Sequence, residues 1–264
     1  MKLSTKMFGL IVVLSSILGM ATANAESTLD QILRSKKIRI AVDVASPPFG
    51  ILNKEGKPEG SEVATAQQLA KDMGVELELV QVPAPARIPS LVSGRVDVTI
   101  SSISTTIERA KAVAFANPTG ALEITIFGPE SVKVKTPQDL DGKRIGLTRA
   151  TLEEVVVPKM APPGAKIMWF DEISATIQAM LTGQVDVISM SGFAEKAVRD
   201  GNPDKKIERK MVVTTAYYAP IVRKADFELL NFINTWVFVN THNGVLAKIY
   251  KANTGVDLPP LPVH

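Results

Sequence analysis

The sequence predicts an α/β protein of two lobes, each a mostly parallel sheet flanked by helices, joined by two crossover strands. Three observations carry that prediction. Segments with helical spacing alternate with short apolar runs, which is the pattern of a parallel sheet with right-handed crossovers. The pattern then repeats. Leu91-Val-Ser-Gly94-Arg-Val-Asp97-Val98 has a counterpart in Met180-Leu-Thr-Gly183-Gln-Val-Asp186-Val187, each reading as a helix end, a glycine cap and a buried strand. Between the repeats runs Ala121 to Phe127, apolar and β-branched, which suits an outgoing crossover strand.

In chain order, residues 1–25 are expected to be a secretory signal peptide. Lys2 and Lys6 form a basic start, Met7 to Met20 is apolar apart from Gly and Ser, and Ala23-Asn24-Ala25 is a cleavage site. The run is too short for a stable membrane span. An uncleaved anchor is the competing reading. The expected location is therefore the periplasm. The first lobe is expected over 26–120 and 216–264, the second over 121–215. Lys37-Ile-Arg-Ile-Ala-Val42 opens the first lobe as a strand, matched by Lys143-Arg-Ile-Gly-Leu147 in the second. The first is followed by a helix over Ser61 to Met73, a strand over Val75 to Val82 and a helix over Ile88 to Ser93. The second is followed by a helix over Thr151 to Met160, a strand over Ala165 to Trp169 and a helix over Ile173 to Thr182. Val212 to Val222 is the candidate return crossover. Asp226 to Asn240 places Leu229, Leu230, Ile233, Trp236 and Val237 at helical spacing. Gly244 interrupts it, Val245 to Lys251 adds a last turn or two, and Leu258-Pro-Pro-Leu-Pro262 must be extended.

Composition excludes several functions. The chain has 30 basic and 27 acidic residues, and setting aside Lys2 and Lys6 leaves 28 against 27. That balance gives no reason to expect nucleic acid as a partner. Lys205-Lys206 and Arg209-Lys210 read as solvated loops. There is no Cys, hence no disulfide and no lipoprotein anchor. The two His, His242 and His264, are far apart in sequence and offer no metal site; His242 reads as a helix cap or surface residue. No phosphate-loop or dinucleotide motif appears, so no cofactor is expected.

Ser101-Ser-Ile-Ser-Thr-Thr-Ile-Glu-Arg109 is the most informative stretch. The apolar run Val96 to Ile100 ends there. Thr105-x-x-Glu108 has the form of a capping box, which predicts a helix from Thr105 on through Phe115. Hydroxyls, free backbone N–H groups and a guanidinium at one place suit a carboxylate or similar anion. The competing reading is a polar loop with a surface arginine. Ligands in open α/β sheets bind beyond the carboxyl ends of strands, and that rule selects Asp43 to Phe49, Ser101 to Arg109, Thr148 to Leu152 and Ser189 to Gly192. The serine-rich stretch falls at one of these ends, which favours the anion site.

At this point the chain resembles the periplasmic solute-binding proteins that feed polar amino acids to ABC transporters (bacterial extracellular solute-binding proteins, family 3). The resemblance covers nearly all of the chain after residue 25. It rests on Ile-Ala-Val-Asp43-x-x-x-Pro-Pro-Phe49, Gly56-Lys-Pro-Glu-Gly60, Arg87-Ile-Pro-x-Leu91, Ser-Gly-Arg-Val-Asp97 and Ser104-x-x-x-Glu108-Arg109. Phe115-x-x-Pro118, Asp139-Leu-x-Gly-Lys143 and Leu246-Ala-Lys-Ile-Tyr250 complete it. It implies a type II periplasmic-binding-protein fold, a monomer whose two lobes close on a small ligand. It also implies an ABC permease in the inner membrane as partner. In the family the arginine matching Arg109 grips the ligand's α-carboxylate, assisted by residues matching Ser102 and Ser104. The turn matching Ala150-Thr151 closes over it from lobe two.

Departures from the family pattern bear on the ligand. The aspartate that usually holds the α-ammonium falls at Ser191, and Ser189-Met-Ser-Gly-Phe193 contains no acid. The usual aromatics fall at Ser46 and in Pro83-Ala-Pro-Ala86. Either Asp43 or Glu62 replaces the clamp, or the ligand carries no ammonium. Arg149 is a second cation near the cleft, as a ligand contact or as an outward surface residue. The expected ligand is a small carboxylate-bearing solute, an amino acid or a relative. Two alternatives stand beside transport. One is a dehydratase of the prephenate or arogenate type, needing an acid such as Glu153 or Glu154, which at a helix start reads more simply as a surface residue. The other is a sensing partner of a membrane receptor.

Overall fold

The computed structural model describes residues 26–262; the expected signal peptide and His264 lie outside the described residues. The chain first forms α1 (Thr28–Ser35), capped by the Ser27 hydroxyl accepting from the Asp30 amide, an element the sequence reading had not anticipated. Then follow β1 (Lys37–Val42), the short hairpin β2 (Ile51–Leu52) and β3 (Pro58–Glu59), α2 (Ser61–Met73) and β4 (Glu76–Gln81). Next come α3 (Arg87–Val92), β5 (Val98–Thr99), α4 (Ile107–Ala110) and β6 (Val113–Phe115). The middle of the chain is β7 (Gly120–Pro129), β8 (Arg144–Thr148), α5 (Glu153–Met160), β9 (Lys166–Phe170), α6 (Ile173–Leu181), β10 (Val187–Ser191) and α7 (Gly192–Gly201). It ends in β11 (Ile207–Tyr218), β12 (Ile221–Arg223), α8 (Phe227–His242) and α9 (Val245–Thr254).

Two five-stranded sheets result, in the orders β4-β1-β5-β12-β6 and β11-β7-β10-β8-β9. Both are mixed. The strand that opens each repeat pairs in parallel with two neighbours, β1 with β4 and β5, and β8 with β9 and β10. The remaining pairings are antiparallel, because β7 and β11 run as one long ribbon and β12 returns between β5 and β6. All five strands of the second sheet come from Gly120–Tyr218. The first sheet and its helices are lobe one here, the second lobe two.

Helices cover both faces of each sheet. In lobe one Ile38, Ile40 and Val42 pack with Leu69 of α2 and Ile233 and Trp236 of α8, while Ala41 and Ile221 pack on Leu91 of α3. In lobe two Phe127 and Ile188 pack on Met180 of α6, and Ile145 and Leu147 on Val157 of α5. Each such fully buried aliphatic side chain contributes about 1.5–3 kcal/mol. Phe49, Leu122, Ile124, Leu152, Tyr218 and Tyr250 form a separate cluster where the lobes meet.

The internal repeat has a structural counterpart in one ion bracket. Arg39 of β1 donates to Asp97 from its backbone N (2.9 Å), Nε (3.1 Å) and Nη2 (2.5 Å). Arg144 of β8 donates to Asp186 from the same three atoms at 2.8, 3.2 and 2.6 Å. The aspartate that follows each glycine cap therefore ties the start of one strand to the next by a bidentate fork.

The expected helix from Thr105 is corrected. The cap is Thr106, whose hydroxyl accepts from the Arg109 amide at 3.2 Å, and α4 has only four residues. Val113 to Phe115 are strand because they pair with β12, a partner more than a hundred residues away. Local spacing cannot register such a pairing, and tertiary context overrides weak helix propensity.

Candidate functional site

The strand ends converge on one cleft between the lobes. It is lined from lobe one by Ser46, Phe49, Arg87, Ser102, Ser104 and Arg109. Lobe two contributes Thr148, Thr151, Glu153, Ser189 and Ser191, and Leu122, Ile124, Ile173 and Met190 supply apolar wall. Of the predicted site residues, Ser46, Ser102, Ser104, Arg109, Thr151 and Ser191 are thus brought together.

Local chemistry explains why these groups face inward. Gly60 has φ +122, and a Cβ there would meet the Phe49 carbonyl at 2.5 Å, so only glycine lets α2 dock this closely. The docking puts Glu62, at the start of α2, beneath the serine loop, where its carboxylate accepts from the Ser102 amide at 2.7 Å. Ser102 itself is held at φ +45. Burial pushes the Glu62 carboxyl up to about 7, with the Ser102 amide opposing.

Two guanidiniums span the cleft. Arg87 donates from Nε to the Ala84 carbonyl, from Nη1 to the Ser101 carbonyl and from Nη2 to the Ala150 carbonyl, each at 3.0 Å. Arg109 donates from Nη1 to the Ser104 carbonyl at 3.0 Å and from Nη2 to the same Ala150 carbonyl at 2.9 Å. Ala150 belongs to lobe two and sits at φ +59, its own amide donating to Glu154 Oε2 at 2.7 Å. One backbone carbonyl therefore receives both arginines and joins the lobes. Burial lowers the Arg109 guanidinium to about 10, Arg87 adding to the effect, so it remains a cation near neutrality.

Four predicted residues lie elsewhere. Asp43 is buried behind the cleft: Oδ1 accepts from the Ala45 amide at 2.9 Å, and Oδ2 has no hydrogen-bond partner among the described residues. Burial raises its carboxyl, opposed by that amide and by Arg87. Glu62 also lies beneath the lining rather than in it. Ala150 contributes its carbonyl to the two arginines and not a wall of the main cleft. Arg149 points outward, its guanidinium 5.5 Å over the Trp169 ring and 3.4 Å from Asp171, so the expectation of a ligand contact is corrected to the outward surface position. Backbone alternation explains it, since the Arg149 amide extends the β8 ladder to the Phe170 carbonyl at 2.8 Å while its neighbours turn inward.

The sequence reading had not placed Arg87 in the cleft, and had offered Glu153, or Glu154, only as the acid of the dehydratase alternative. Arg87 was visible only as part of Arg-Ile-Pro-x-Leu. Glu153 occupies the first position of α5, where a glutamate ordinarily faces water, yet it is 7 % exposed. Burial raises its carboxyl; its own amide, the Thr151 hydroxyl, Arg87 and Arg109 oppose that. The Ser191 hydroxyl accepts from the Ala194 amide at 3.1 Å as the cap of α7, which commits part of its acceptor capacity. Among the described residues no group of three or more His, Cys, Asp or Glu gathers where a metal could sit, and no helix is long and apolar enough to cross a membrane.

Known proteins resemble this chain over most of its length. The description Bacterial extracellular solute-binding proteins, family 3, matches residues 38–256. The L-cystine-binding protein TcyJ of Escherichia coli K12 is 27% identical over 241 residues, 88% of each chain. The Histidine-binding periplasmic protein of the same strain is 27% identical over 251 residues, 90% of this chain and 95% of that one. Among solved structures, a P235GK mutant of ArgBP from T. maritima superposes with a TM-score of 0.80 at 27% identity, covering 86% of this chain and 99% of that one. The ancestral amino acid-binding protein AncCDT-1, described as a precursor of cyclohexadienyl dehydratase, superposes at 0.78 and 27% identity over 86% and 100%. The fold is that of the type II periplasmic binding proteins.

Proposed function

Because the chain belongs to the bacterial extracellular solute-binding proteins of family 3, we propose that it captures a small carboxylate-bearing solute, an amino acid or a close relative. It then delivers that solute, from the periplasm and as a monomer, to an ABC permease of the inner membrane. The observation that carries this reading is the convergence of Arg109, Ser102 and Ser104 from lobe one with Thr151 from lobe two on a single cleft. A guanidinium with neighbouring hydroxyls is the donor set a carboxylate needs. The solute first meets lobe one; lobe two rotates about the Gly120 and Tyr218 ends of the ribbon and the cleft closes. Relatives named for cystine, histidine and arginine support an amino acid.

Thermal shift of ligand-stripped protein against amino acids, keto acids and dicarboxylates tests the reading. A compound at 100 times its Kd adds about 2.7 kcal/mol. Arg109→Ala is expected to abolish that shift in a protein that still folds, with a lower unliganded melting temperature because the Ser104 and Ala150 carbonyls lose a donor. Calorimetric affinity within a few-fold of the parent would remove Arg109 from the site.

A second reading is favoured by one observation, the buried Glu153 carboxyl, since a dehydratase needs such an acid beside a leaving hydroxyl. On the binding-protein reading, prephenate and arogenate stay unchanged after long incubation with the purified protein. Turnover that disappears in Glu153→Gln would make the protein an enzyme.

A further inference from the structure

We propose that Glu153 is the acceptor for the solute's amine, set on lobe two in place of the absent acid at Ser191. The inference rests on the reading that the cleft takes a carboxylate-bearing solute, and it narrows that class to zwitterions.

The argument is one of charge and acceptor capacity. Among the described residues that line the cleft the ionisable side chains are Arg87, Arg109 and Glu153. Arg87 is committed to three backbone carbonyls. Glu153 makes no ion pair with any described residue, although both arginines act on it through space. A buried carboxylate without a salt-bridge partner is costly, and so is a buried ammonium. Bringing the two together satisfies both. An ammonium needs acceptors for three N–H donors and a full positive charge. The serines cannot supply this: the Ser191 oxygen already accepts from Ala194, and the Ser189 hydroxyl donates to the Thr125 carbonyl at 3.1 Å. Asp43 and Glu62 lie behind the lining. Charge is also divided between the lobes, Arg109 on lobe one and Glu153 on lobe two. A zwitterion bridges them, so the amine is read only as the lobes close.

The competing role for Glu153 is counter-ion to the two arginines. The two roles predict different selectivity. Calorimetry and thermal shift would use four pairs: L-leucine and 4-methylpentanoate, L-methionine and 4-(methylthio)butanoate, L-arginine and 5-guanidinopentanoate, L-glutamate and glutarate. In the parent at least one pair is expected to favour the amino acid by tenfold or more. In Glu153→Gln, which keeps the side chain's shape and one oxygen, that ratio is expected to fall towards one, with the deaminated acid bound as well as before or better. An unchanged ratio, or an equal loss for both members, overturns the clamp. Should Glu153→Gln fail to fold, the parent alone decides, because equal binding of both members in every pair overturns the clamp and leaves the carboxylate reading standing. Silence of all eight compounds overturns the carboxylate reading and the clamp with it.

Discussion

In lobe one Arg39 brackets Asp97, and in lobe two Arg144 brackets Asp186 with the same three donors. Beneath the cleft the lobes are two copies of one construction. Above it they diverge. Lobe one carries both cations of the lining, three cleft serines and the buried Glu62; lobe two carries Glu153 and the turn whose Ala150 carbonyl receives both arginines. A shared sheet start sets where each loop leaves the fold, and the loop alone sets the chemistry. The two lobes thus share one frame at the start of their sheets and differ in the charges their loops bring to the cleft.

The sharpest way to break the comparison is Glu62, the buried acid beneath the serine loop of lobe one. Its carboxyl titrates at about 7 in the folded protein and at the ordinary 4.5 when unfolded. The folded state therefore binds the proton more tightly, and Glu62 favours folding below pH 4.5 and progressively less as pH rises to about 7. The difference amounts to about 3 kcal/mol. Glu62→Gln keeps an acceptor for the Ser102 amide and removes the charge. Urea denaturation at pH 4.5, 6 and 8 should show the parent losing up to about that much relative to the variant. Parallel pH profiles would mean that Glu62 titrates normally.

The brackets themselves give a smaller contrast. The Asp97 side chain is 8% exposed and that of Asp186 26%, with their arginines about equally open at 39% and 42%. Partial exposure of the arginines discounts both. Asp97→Asn is expected to cost about 1–2 kcal/mol and Asp186→Asn less than about 1. Chemical denaturation of the two variants side by side decides it, and a reversed order would show that burial does not rank the two copies.

Smallest of all is Arg149, the cation that lobe two turns outward. Arg149→Ala should leave solute affinity within about twofold and remove about 0.5 kcal/mol of stability from the contact with Trp169. A tenfold loss by calorimetry would return the guanidinium to the ligand.

These contrasts also indicate what sequence could reveal. The repeat, the four strand ends and Arg109 were legible because period, glycine caps and the strand-end rule are local or nearly so. Phe115 was not, since its strand state comes from pairing with Ile221. The cap fell at Thr106 rather than Thr105 because adjacent threonines offer the same hydroxyl and only the backbone path chooses between them. Glu153 read as solvated because a helix start on the surface and one roofed by a second lobe have the same spacing. Arg87 was hidden for a related reason: its acceptors, Ala84, Ser101 and Ala150, come from three loops that meet only in the folded molecule.

The place of β12 has a consequence in time rather than in space. Ile221–Arg223 lies between β5 and β6, so the sheet of lobe one is split until this segment arrives. Lobe two draws its strands from one unbroken stretch, 120–218, and has no such wait. In a chain that emerges from its N-terminus, the arginine-bearing half begins first and finishes last. Until then its Val98 and Val113 strands lack the neighbour that should separate them, and unpaired strand edges of this kind are open to other chains. The arginine-bearing half is therefore the half most exposed to error while the protein is being made.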